Sequence, residues 1–271
     1  GDGGNLLPGE PGCYARAAPC PRQRPPRTAD EGGEKRALAR RAGVVAAGTL
    51  VSRILGQARE SVMAAAFPAE MTDAFVVVFT IPNALRGLLA EGAVSSALVP
   101  SYADERAKRG EEAARAFYVR FSGAMIVVLA AVSALGVLAA PALVYLYASG
   151  YADDPERFAY TTTLTRWVFP YIFFMGLAAL GMGALNLHKH FAVPALAPAL
   201  LNVAQVLAPL LFVGPALALG MPPVGALVIG ALIGGVLQVV VQWPALRRVG
   251  MLLRPRFEPG DPVVREALAR M

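Results

Sequence analysis

The sequence predicts an all-α fold, a polytopic membrane helix bundle with about six spanning helices and no soluble catalytic domain. Three observations carry this reading. Hydrophobic residues make up 56% of the 271-residue chain and charged residues only 16%, where a soluble domain carries about 25% charge. The mean hydropathy is +0.50. The apolar residues also fall into long runs separated by short charged clusters, and a run of roughly 20 is what a helix needs to cross a bilayer.

The chain opens on a stretch, Gly1 to about Arg41, that is rich in Gly, Pro and Arg and lacks apolar periodicity. It reads as a disordered basic tail. Cys13 and Cys20 lie within it, with no His nearby and a spacing that fits neither a zinc nor a redox motif. Six apolar segments follow within residues 42–261: roughly Gly43–Phe67, Ala74–Tyr102, Phe121–Ala148, Ala159–Leu187, Val193–Val213 and Val224–Leu246. Residues 262–271 (PVVREALARM) look like the start of a seventh helix, cut short.

Loop charges give the orientation, because cytoplasmic loops carry an excess of Lys and Arg. The tail is basic, and so is the second-to-third connection with Arg106, Lys108, Arg109, Arg115 and Arg120. Lys189 lies in the fourth-to-fifth connection, and Arg247, Arg248, Arg254 and Arg256 follow the sixth segment. The alternate loops hold Glu70 and Asp73, then Asp153, Asp154 and Glu156 with Arg157, then an uncharged stretch. Both ends of the segment are therefore expected in the cytoplasm. The net charge of +6 is spread between apolar runs rather than gathered with aromatics on one surface, which argues against a nucleic-acid partner and for anionic lipid headgroups.

Charges within the spans are the candidate functional residues, since an Arg at bilayer centre costs roughly 2.5–3.5 kcal/mol and tends to face a cavity. In the first segment Ser52, Arg53, Gly56, Gln57, Arg59 and Glu60 share an arc of roughly 160°. Val51, Ile54, Leu55, Ala58 and Val62 lie opposite. A purely structural alternative is an Arg–Glu network with Arg53 and Glu60 stacked seven residues apart. In the second segment Pro82 removes a backbone donor and predicts a kink, followed by Asn83 and Arg86, then Glu91. A broken helix beside an Arg is how transporters build anion sites. Asn186 and Asn202 read as interhelical glue. His188 and His190 are two apart and do not share a helix face, so no metal site is expected. Nothing in the chain fits a P-loop, a GxSxG elbow, an HExxH motif or a carboxylate dyad. The expectation is transport, with no catalytic residues and no cofactor.

The runs SRILGQARE, TDAF and IPNALRGLLAEGAVSSALVPSYAD resemble the MurJ (MviN) family of lipid II flippases. So do FPYIFFMGLAALGMGALN, FAVPALAPALLNV and the stretch from GGVLQ to LRRVGMLLRPR, and the similarity extends over about Arg36 to Met271. The resemblance implies a MOP-type exporter fold in which two six-helix lobes enclose a cationic cavity and rock about it. The chain would be the first lobe, with the second lobe its missing partner. The implied function is transfer of the undecaprenyl-pyrophosphate-linked peptidoglycan precursor, lipid II, across the bacterial inner membrane. Arg53, Arg59 and Arg86 match cavity arginines of the family, Asp73 and Asn83 match other positions important there, and Pro82 and Gly56 are the candidate hinges. A related polysaccharide-lipid or multidrug exporter, or a non-transporting membrane fragment, are the alternatives.

Overall fold

The computed structural model describes residues 31–87, 94–252, 254–258 and 260–269. The tail as far as Asp30, with both cysteines, lies outside the described residues, as does Glu91. Residues Arg40–Met271 form one compact unit, distinct from the stretch before it. All regular structure among the described residues is helical: α1 (Glu31–Ala66), α2 (Ala69–Arg86), α3 (Val94–Leu138), α4 (Ala140–Tyr147), α5 (Pro155–Val168), α6 (Pro170–Leu187), α7 (Ala192–Leu211), α8 (Val213–Ala218), α9 (Gly225–Arg248) and α10 (Pro262–Ala269).

The boundaries follow from the residues at them. Helix α1 begins before the expected end of the tail, because Glu34 to Ala39 are strong helix formers. It stops at Phe67–Pro68, since a proline disfavours helical geometry in the residue before it. Gly110 (φ 87, ψ 179) divides α3 into two helices in a conformation that L side chains rarely adopt. The predicted fourth segment is longer than expected and broken. It begins at Pro155, where the Asp154 carboxylate accepts from the Arg157 backbone N–H at 3.1 Å. Pro170 then starts α6 as its first helical residue. Lys189 (φ 61) ends α6. Gly250 (φ 70) ends α9 while the Met251 N–H donates to the Leu246 carbonyl at 2.9 Å, a Schellman-type stop.

Among the described residues, four stretches are long and apolar enough to cross a membrane: Ser96–Leu138, Pro155–Leu187, Ala192–Leu211 and Gly225–Arg248. They contain most of the last four predicted segments. The first predicted segment lies in α1, which Arg53, Arg59 and Glu60 make less apolar. The second is split between α2 and the start of α3, with residues 88–93 between them outside the described residues.

Helix α6 lies at the centre. Of the most apolar part of Pro155–Leu187, 72% is buried, against 28% for α7, which places α7 at the edge. One face of α6 packs Ala179, Leu180 and Ala184 against Leu98, Phe117, Phe121, Met125 and Leu129 of α3. The other packs Tyr171 and Met175 with Phe75, Val78 and Phe79 of α2 and Val228 and Ala231 of α9. Helix α9 approaches α7 closely: a Cβ on Gly234 would sit 2.8 Å from the Leu201 Cα, and one on Gly230 would sit 2.9 Å from the Ala208 Cβ. Small residues of this kind let spanning helices pack backbone to backbone. Outside the bundle Leu138, Leu146, Leu210, Leu211, Val240 and Trp243 are exposed, an apolar surface of the kind that meets lipid rather than water. The chain is thus a multi-pass membrane protein.

Candidate functional site

Helix α1 lies against α7 along a seam that is more polar than the rest of the interior. Gly48 allows the close approach, since a Cβ there would be 2.8 Å from the Ala195 carbonyl oxygen. One turn on, the Asn202 side-chain amide donates to the Ser52 carbonyl at 2.9 Å and lies 3.4 Å from the Ser52 hydroxyl. Gly56 faces the same amide. The seam ends where Arg59 Nη1 donates to Gln205 Oε1 at 3.2 Å and Arg59 Nη2 pairs with the neighbouring Glu60 carboxylate. Positions 48, 52, 56, 59 and 63 recur at the helical period and form one stripe.

The chemistry of the seam centres on the Arg59 guanidinium. Gln205 is 1% exposed and Asn202 9%, so the Gln205 Oε1 and the Asn202 amide nitrogen are turned to α1 rather than to water. The Arg59 side chain keeps 22% exposure. Its Nε–H is buried and has no hydrogen-bond partner among the described residues. A guanidinium carries five N–H groups, so one bond at each terminal nitrogen fixes its orientation and still leaves donors for an incoming oxyanion.

The other predicted site residues are placed differently. Arg53 is exposed and lies roughly 120° around α1 from Arg59, on the flank of the seam rather than in it. Glu60 pairs with Arg59 and not with Arg53, so the seven-residue stack of the structural alternative gives way to a neighbour pair. Asp73 and Asn83 are exposed on α2, and Pro82 is buried within it. Arg86 ends α2, and its side chain lies outside the described residues. The sequence reading placed Asn202 correctly as glue and missed Gln205. The signal was available: two amides three apart in an apolar helix share one face.

A second charged cluster lies at the break in α3. Glu111 accepts from the Tyr102 hydroxyl at 3.1 Å and pairs with Arg106 at 2.7 Å and Arg115 at 3.5 Å. His188, at the end of α6, stands 3.9 Å from the same carboxylate, and its Nδ1 lies 2.9 Å from the Ala184 carbonyl oxygen. On another face Glu70, Met71, Ala74, Asp154, Glu156, Arg157 and Tyr160 line a cavity of about 300 Å³.

Residues 63–271 match the family model described as lipid II flippase MurJ. This match contains Asp73, Pro82, Asn83 and Arg86 and begins just after Arg59. The lipid II flippase MurJ of Burkholderia cenocepacia is 43% identical over 228 residues, covering 82% of this chain and 43% of that protein. The probable lipid II flippase MurJ of Rhizobium meliloti is 39% identical, with 82% and 42% covered. The corresponding Vibrio cholerae protein is 35% identical, with 82% and 43% covered. The chain therefore spans less than half the length of these curated relatives. A solved structure of lipid II flippase MurJ in its inward closed conformation superposes with a TM-score of 0.64 at 23% identity, over 83% of this chain and 45% of that one. That likeness bears on the fold.

Proposed function

Because this chain belongs to the lipid II flippase MurJ family, we propose that it forms the first helical lobe of a transporter for lipid II. The lobe carries the undecaprenyl-pyrophosphate-linked precursor from the cytoplasmic to the periplasmic leaflet of the bacterial inner membrane, together with a second lobe. Both ends of the segment lie in the cytoplasm. The protein acts by alternating access rather than by catalysis.

The observation that carries this reading is the state of Arg59. Its terminal nitrogens each make one contact, to Gln205 and to Glu60, which fixes the fork and leaves a further N–H on each. A pyrophosphate takes up N–H donors that the 22% exposed side chain still presents, and the planar fork suits phosphate better than an ammonium does. Arg53, on the flank, adds charge at the mouth of the seam. The family resemblance assigns Arg86, Asn83 and Asp73 of α2 to the same transport path, with Pro82 and Gly56 as its hinges.

The test is complementation of a flippase-depleted cell by the full-length gene carrying Arg59→Ala or Arg59→Lys, with membrane levels checked by blotting. Both variants are expected to fail while still inserting. Normal growth with Ala at Arg53, Arg59 and Arg86 together overturns pyrophosphate binding, and growth with Lys but not Ala at Arg59 keeps the charge and discards the fork.

A further inference from the structure

The segment joining α9 to α10 is laid onto α3 and encloses a basic pocket that the transport reading does not use. The Arg256 backbone N–H donates to the Val119 carbonyl at 3.2 Å. The Arg256 carbonyl lies against Gly123, where a Cβ would be 2.1 Å away, so only glycine admits the segment at this depth. Asp261 holds the far end. One of its carboxylate oxygens caps α10 through the Val263 and Val264 N–H groups at 2.8 and 3.2 Å, and the other pairs with Arg120 at 2.5 Å. Between these two anchors Ala116, Val119, Arg120, Arg254, Arg256 and Glu258 line a cavity of about 330 Å³.

The charge in this cavity is unbalanced. Asp261 engages Arg120, and among the described residues Glu258 is the single carboxylate in the lining against Arg254 and Arg256. The Arg254 and Arg256 side chains are exposed and make no ion pair among the described residues. Two guanidinium forks facing one void suit the non-bridging oxygens of a phosphodiester. The wall opposite them is apolar, formed by Ala116 and Val119. The pocket also sits where α3 passes from its charged half into the apolar run that begins at Phe121. A change from charged to apolar residues along a spanning helix fits the depth of the lipid headgroups, where basic pockets between helices take up anionic lipids.

We propose that Arg120, Arg254 and Arg256 form a binding site for the phosphodiester headgroup of an anionic membrane phospholipid, which clamps the α9–α10 segment to α3. The site is independent of lipid II transport. The chain, purified in detergent and delipidated, is titrated with phosphatidylglycerol, phosphatidylcholine or inorganic phosphate, and retained lipid is read by native mass spectrometry. Phosphatidylglycerol is expected to bind and phosphatidylcholine is not. Arg254→Gln with Arg256→Gln should weaken phosphatidylglycerol roughly tenfold or more. Glu258→Gln should tighten it, a gain that misfolding does not mimic. Arg247→Gln with Arg248→Gln, on α9 outside the pocket, should leave binding as it was. Equal losses from the two arginine pairs would reduce the effect to bulk charge and overturn the site. Equal retention of phosphatidylcholine, or displacement of phosphatidylglycerol by millimolar inorganic phosphate, would overturn the lipid assignment.

Discussion

Arg59 on α1 donates through Nη1 to Gln205 on α7 across 3.2 Å, and the acceptor is 1% exposed. An acceptor so buried has no water to fall back on, so the bond fixes the guanidinium as well as the helix pair. Gln205→Leu keeps the volume and removes the acceptor. A hydrogen bond to a charged group contributes about 1.5–3 kcal/mol, so the full-length variant should lose roughly tenfold or more in flipping rate. The measurement is lipid II transfer in proteoliposomes. Gln205→Glu, which retains an acceptor, should lose less, and an unaltered rate with Leu would show that Gln205 does not position Arg59.

The approach of α1 to α7 rests on Gly48 meeting the Ala195 carbonyl. Gly48→Val is expected to lift α1 away and break the Asn202–Ser52 bond one turn on. Cysteines at positions 52 and 202 should be joined by a short bifunctional reagent in an otherwise unchanged chain. The added valine should abolish that cross-link.

Orientation is open to direct labelling. Arg109 belongs to the basic connection and Asp153 to the acidic one, and both are exposed. A membrane-impermeant thiol reagent added outside should reach cysteine at position 153 and miss cysteine at position 109. Position 153 is preferable to Asp154, whose carboxylate caps α5. The opposite pattern would invert the topology.

Glu111 gathers Tyr102, Arg106, Arg115 and His188 around the break in α3. Glu111→Gln leaves two arginines facing each other without their shared anion. The carboxylate is 37% exposed, so water screens much of the loss and about 1 kcal/mol is expected. Gly110→Ala forces a Cβ into a region that costs roughly 1–3 kcal/mol. In a detergent-solubilised unfolding scan each kcal/mol lowers the midpoint by about 2–4 °C for a chain of this size, and Gly110→Ala should show the larger drop.

Much of this architecture is legible without coordinates, because hydrocarbon selects for length and apolarity, and both are local. The runs that became α7 and α9 carry almost no charge, whereas apolarity alone starts the fourth segment at Ala159 and passes over the cap at Asp154–Pro155. The breaks are harder. Gly110 is one small residue among charged ones, and whether such a glycine bends, ends or merely sits in a helix depends on what packs beside it. The site divides the same way. Periodicity puts Ser52, Gly56 and Arg59 on one face, but it names no partner for them. Grouping Arg53 with Arg59 needed only a generous arc, whereas separating them required α7 to be in place. Asn202 and Gln205 put two amides on one face of α7, but neither names its partner until Ser52 and Arg59 are found opposite.

The glycines of α9 have a mechanical consequence. Gly230 and Gly234 meet Ala208 and Leu201 of α7, while Gly235 on the other side meets Phe174 and Tyr171 of α6. Surfaces seated this closely have no slack, so neither neighbour can slide along α9 without first riding up over a side chain. Helices α6, α7 and α9 then behave as a single gear block, and a rotation within the lobe must be taken up outside that block.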